Sequence, residues 1–373
     1  MQLVVLVAFV VSFGLVDLLA SDPQGAAAAL RTPPAMFLSA VGGYLLVAGA
    51  MAWLNTRLSL RRLAGQADLP PRALRRHHLL AVATGVWLAA GLAGVLLAGY
   101  GRWLVEDLHL SGVPLAPKLL AVAPFLAAVE LVWLLDYPYY RAIRRRIWAG
   151  RDDAPCWSPA EYLDYNTRHH VLFIAVPVAL IVLGVDLLAL AAPALDRALP
   201  APAGQIVHAA GSFAVAGAVF LLAPLLIVRV WRTERLPDGP LRARLRDTCV
   251  RLGLRVRDLR VWRSGGQIVN AAVMGLAAPV RYVLLTDALL EHLDERGVEA
   301  VFAHEAGHIV SHHIFYSVLL VLSAAVGCAA LAELAAGATG LGPWVSDLLA
   351  VAMLAGAWGL GFGWVSRRFE RQC

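Results

Sequence analysis

Apolar residues run through this chain in long blocks, not in the short stripes of a water-soluble protein. Eight stretches, residues 3–19, 36–54, 79–103, 119–135, 171–192, 206–228, 314–335 and 344–365, carry few charges. Each is long enough to cross a hydrocarbon core about 30 Å thick. Between the sixth and seventh blocks, over 231–313, charge is dense and apolar residues come in short groups. Residues 240–254 have the spacing of an amphipathic helix, and 256–263 alternate as a strand. Ser264-Gly265-Gly266 makes a turn into a second strand over 267–275. Residues 281–286, β-branched and aromatic, predict a third strand, with Asp287 capping a short helix over 288–293. Asp294 or Glu295 opens a further helix, putting acidic side chains in its first turn as the helix dipole prefers. The expected fold class is mainly α, a polytopic helical membrane protein of about eight spans with a small cytoplasmic α+β domain.

Composition agrees with the pattern. Of 373 residues, 60% are hydrophobic and 16% charged, against about 25% charged in soluble proteins, and the mean hydropathy is +0.67. Arginines cluster after the second block (Arg57, Arg61, Arg62, Arg72, Arg75, Arg76), after the fourth (Arg141, Arg144, Arg145, Arg146, Arg151, Arg168) and over 229–263. Basic loops stay in the cytoplasm, so the N-terminus, the soluble segment and the C-terminus are expected inside. The net charge of +6 then reflects topology and anionic headgroups, and no nucleic-acid partner is expected. The first block lacks a basic leader and is read as a retained anchor. Arginine, alanine, leucine and glycine usage suggests a bacterium, hence its inner membrane. Cys156, Cys249, Cys328 and Cys373 form no C-x-x-C pair, so neither a disulfide framework nor a thiolate zinc site is expected. Asp17, Glu130 and Asp186 fall at scattered depths in or near spans and are read as structurally paired. Arg76-His77-His78 and Arg168-His169-His170, both at inferred cytoplasmic boundaries, are read as interfacial.

The chemistry lies in His304-Glu305-Ala306-Gly307-His308. On a helix, two imidazoles four residues apart share a face and can hold one zinc, with Glu305 one step round as a general base for water. A catalytic zinc takes three protein ligands and keeps one position open. His312 is excluded as the third, because eight residues span about 12 Å of helix axis. His312 and His313 are read instead as interfacial or supporting residues. Ser311 and Ile314 stand where a metzincin has its glycine and third histidine. Glu370, following the last block on the same side of the membrane, is the strongest remaining candidate.

Together with Ser366-Arg367-Arg368-Phe369-Glu370, residues 281–290 (RYVLLTDALL) and 300–313 (AVFAHEAGHIVSHH), the motif resembles the HtpX and type I CAAX prenyl endopeptidase family of integral-membrane zinc metallopeptidases. The resemblance covers roughly 265–373. It implies zinc, one per chain, on His304, His308 and Glu370, with Glu305 catalytic, Asn270 and Ala271 at the substrate-binding edge, and Arg367 supporting the site. The family's Ser-Arg-x-x-Glu-x-x-Ala-Asp signature is incomplete: Cys373 stands at the alanine and the sequence ends before the aspartate. That predicts a truncated chain or weak zinc binding.

The expected domains are 1–230 (six spans), 231–313 (cytoplasmic catalytic domain), 314–365 (two spans) and 366–373 (start of the third-ligand helix). The expected function is a zinc metalloendopeptidase cleaving membrane or membrane-proximal polypeptides at the lipid bilayer, with a possible role in protein quality control. Two alternatives stand beside it. One is a catalytically degenerate scaffold or sensor. The other is a site-2-type intramembrane protease, disfavoured because Asp238-Gly239 precedes the zinc motif.

Overall fold

The computed structural model describes residues 1–21, 32–64, 70–108, 110, 113–147, 156–199, 203–266, 268–339, 346, 349–350, 353–354 and 356–373. They fall into two compact units, Met1–Trp231 and Arg232–Cys373.

The first unit is helical: α1 (Gln2–Ser21), α2 (Pro34–Leu63), α3 (Pro71–Val95), α4 (Ala116–Ile147), α5 (Pro159–Asn166), α6 (Phe173–Ala198) and α7 (Ala203–Val230). Prolines lead α2, α3 and α5 into their first turns, where the missing N–H costs nothing. Helices α1 to α4 pack round Phe9, Leu88, Leu92, Leu96, Phe125 and Val129. Helix α6, by contrast, buries no residue, as an apolar helix facing lipid should. Among the described residues six helices are long and apolar enough to cross a membrane, five here and one in the second unit. Helix α1 is apolar over Gln2–Asp17, and the predicted span over 344–365 lies in part outside the described residues. The chain is therefore a mainly α, multi-pass membrane protein.

Asp17 and Asp186, expected at different depths, converge on one cation: Lys118 Nζ lies 3.1 Å from Asp17 and 2.8 Å from Asp186. Glu130 stands apart, accepting from the Thr167 hydroxyl. His77 contacts Ser59 at 3.1 Å and stacks on Tyr139, while His169 binds the Tyr165 carbonyl at 2.7 Å. These histidines are tied into helix packing.

The second unit holds a four-stranded sheet in the order β1-β2-β4-β3, made of β1 (Glu234–Arg235), β2 (Asp258–Trp262), β3 (Ala271–Met274) and β4 (Tyr282–Thr286). β2 and β4 are parallel; β1 and β3 are antiparallel to their neighbours. Helices α8 (Pro240–Arg251) and α9 (Asp287–His292) accompany α10 (Glu295–Val310), α11 (His313–Thr339) and α12 (Gly363–Glu370). Sequence reasoning missed β1, which at two residues shows no periodicity. It also misassigned a cap: Thr286, not Asp287, caps α9. The Asp287 carboxylate instead accepts from the Ser264 amide and hydroxyl and from the Gly265 amide, fixing the loop after β2.

The turn between β3 and β4 depends on Gly275, at φ 107. A Cβ there would come within 2.5 Å of the Val280 carbonyl oxygen and 2.8 Å of Arg281 Cα. Left-handed strain and a backbone clash act together, so Gly275→Ala is expected to cost more than about 2 kcal/mol, read as a lower thermal midpoint of the detergent-solubilised chain. An unchanged midpoint would mean that the turn reshapes freely.

Candidate metal centre

Asp294 caps helix α10, its carboxylate accepting from the Gly297 amide at 2.8 Å. Val298, Phe302 and Ala306 recur every four residues and are buried, forming with Leu245, Leu259, Val283 and Leu285 the core between helix and sheet. His304 and His308 are offset from that stripe by two residues, about 200° round the helix, so core packing turns both imidazoles away from the sheet. Glu299 ties α10 to α8, accepting from the Thr248 hydroxyl at 2.7 Å and the Arg251 guanidinium at 2.6 Å.

At the end of α12, Glu370 meets this polar face. Its Oε2 lies 3.2 Å from His304 Nε2 and its Oε1 3.8 Å from His308 Nε2. One ligand atom from each of the three residues lies within 4.8 Å of the others. Two ligands each about 2.0–2.1 Å from one tetrahedral zinc stand about 3.4 Å apart, so the two distances bracket what the ion requires. Two nitrogens and a carboxylate oxygen are also a donor set zinc accepts.

Glu305 is half-buried beside them. Burial raises its carboxyl above the ordinary value; nearby His304 opposes the shift and Glu370 adds to it. A carboxylate held above its usual range is a better proton acceptor, as a general base should be. For His308, burial lowers the proton affinity, Glu370 counters this, and His313 and His304 add to the lowering. The neutral ring that a metal needs is thereby favoured.

Asn270 and Ala271 sit where β3 begins. Asn270 O accepts from the Thr286 amide at 3.1 Å, and the Asn270 side chain accepts from the Ala271 amide at 2.9 Å. β3 is an outer strand of the sheet and packs against α10. Arg367 is exposed on α12. Two neighbours adjoin the site, one of them His313, which the sequence left as interfacial or supporting. His313 reaches His308, and Cys373 joins His308 and His313 in a second group close enough to hold a metal, although no thiolate was expected near the site. The α-carbon of Gly307 faces that cysteine; a Cβ added there would lie 3.3 Å from Cys373 Sγ.

No curated protein matches the chain. The model of peptidase family M48 matches residues 237–373, starting earlier than the motifs suggested and taking in α8 and β2. HtpX and the CAAX proteases are of this family. The segment that brings His304, His308 and Glu370 together thus lies wholly within the stretch that is similar to peptidase family M48, a family of metallopeptidases.

Proposed function

We propose that the chain is a membrane-embedded zinc metalloendopeptidase that cleaves membrane or membrane-proximal polypeptides. The observation that carries this reading is the convergence of His304, His308 and Glu370 within ligand distance of one another, in a chain whose described residues include six helices fit to cross a membrane. His304, His308 and Glu370 would hold zinc, which when bound would supply Lewis acidity to the scissile carbonyl and to water. Glu305 takes the proton of the attacking water and delivers it to the leaving amine. The arginine clusters support a cytoplasmic active site at the inner face of a bacterial inner membrane. Misfolded membrane proteins are the substrate class that best fits such a location.

Substrate would add to the sheet as a strand beside β3. Because Asn270 O receives the Thr286 amide and Ala272 faces Leu284 in register, ladder bonds alternate through Asn270, Ala272 and Met274. The backbone groups of Ala271 and Val273 then point to the open edge. Asn270 would set the start of that edge. Arg367, exposed on α12, would support the site, as the resemblance implies.

The test is cleavage of casein and of a reconstituted membrane polypeptide by the full chain in detergent and in liposomes. Chelation should abolish cleavage and zinc should restore it. Val273→Pro removes one outward N–H without breaking a ladder bond. It should lower kcat/KM about 10-fold or more, the effect of losing one or two hydrogen bonds to the substrate backbone, with zinc content unchanged. Zinc-loaded chain that binds polypeptide without cutting it would favour the degenerate scaffold instead.

A further inference from the structure

His308 directs Nε2 at Glu370, and its other nitrogen is also engaged. Nδ1 of His308 lies 3.0 Å from Nδ1 of His313, and Nε2 of His313 lies 2.8 Å from Oε1 of Gln372. His313 is 3% exposed, and its ring stacks on Phe369 with centroids 4.2 Å and planes 8° apart. On a straight helix, five residues would carry His313 about 140° away from His308, beyond reach. The helix is not straight: α10 ends at Val310, Ser311 follows it, and α11 restarts at His313. Between them His312 adopts φ 59, a left-handed conformation that non-glycine residues disfavour. That break turns the His313 ring back under His308.

Two ring nitrogens facing each other share one proton, so one donates and the other accepts. Gln372 Oε1 can only accept, which puts the proton of neutral His313 on Nε2 and leaves its Nδ1 bare. His308 must then carry its own proton on Nδ1, leaving the Nε2 lone pair free on the side of Glu370. The opposite tautomer would present an N–H where a ligand is needed.

We propose that His313 is a positioning residue that accepts the His308 Nδ1 proton and so holds His308 in its metal-binding tautomer and orientation. This rests on His304, His308 and Glu370 being the metal ligands. The rival assignment is a metal on His308, His313 and Cys373, whose ligand atoms also lie within 4.8 Å of one another; Cys373 Sγ is 3.7 Å from His313 Nδ1. In that arrangement His313 would be a ligand and not an acceptor.

The experiment is cobalt(II) titration of the detergent-purified full chain, following its visible and near-ultraviolet spectrum, with the parent, His313→Asn, His313→Leu and His304→Ala. The asparagine Oδ1 can stand near the lost Nδ1 and accept the same proton; leucine cannot. His313→Leu should weaken cobalt binding about 10–100-fold, the usual effect of losing a ligand's hydrogen-bond partner. His313→Asn should keep it within a few-fold, with the parent's spectrum and no sulfur-to-cobalt band. Leucine binding as tightly as the parent would overturn the inference, as would asparagine and leucine being equally weak. A sulfur-to-cobalt band lost in both would overturn it in favour of the Cys373 group. If His304→Ala weakens binding while His313→Leu does not, the ligand assignment survives and only the role of His313 falls. A parent that binds no cobalt, or His304→Ala binding as the parent does, overturns both.

Discussion

Glu305→Gln should abolish peptide-bond cleavage while leaving the metal in place. The substitution preserves the shape of the side chain and removes its ability to take a proton, and general acid–base groups contribute about 100-fold to 10,000-fold to rate. A loss of about 1,000-fold in kcat is the expected result, with zinc still at one per chain. The half-buried carboxyl, raised above its ordinary value by burial, is poised to exchange a proton with water beside His304 and His308. Rates and zinc content measured on the same samples separate the two effects. Retained turnover would remove Glu305 from the chemistry, whereas lost zinc would make it a ligand.

His304→Ala and Glu370→Gln should each strip the metal and, with it, all cleavage. Each variant leaves two protein ligands where a catalytic zinc takes three. The loss should exceed the about 10–100-fold that follows removal of a supporting partner. Glu370 is the sharper case, since it comes from α12, 66 residues beyond His304, and closes the site by a 3.2 Å approach. Zinc content by mass spectrometry after dialysis checks both. Glu370→Gln that holds zinc as firmly as the parent would move the third ligand elsewhere, with Cys373 the nearest candidate.

Legibility from the sequence followed the range of the forces involved. The apolar blocks were readable because a hydrocarbon core imposes one length on every span. Helix α10 was readable because Asp294 or Glu295 marks its start and His304 and His308, four residues apart, share one face. The cap of α9 was not, because Thr286 and Asp287 are both good caps, and only tertiary structure assigns Asp287 to Ser264 and Gly265. Glu370 had no spacing rule to announce it, and resemblance carried that assignment. The contact of His313 with His308, which turns a reading of interfacial or supporting into a specific one, was hidden for a related reason. Helical periodicity puts it out of reach of His308, and the left-handed turn at His312 that restores the contact has no glycine to mark it. The meeting of Asp17 and Asp186 on Lys118 likewise joins three helices distant in sequence.

The most direct test of the metal centre is X-ray absorption at the zinc edge on the zinc-loaded full chain. Zinc on His304, His308 and Glu370 should show nitrogen and oxygen neighbours alone, at about 2.0–2.1 Å, including two imidazoles, with one imidazole lost in His304→Ala. A sulfur neighbour at about 2.3 Å would contradict it, placing the ion with Cys373 and His313 and leaving Glu370 outside.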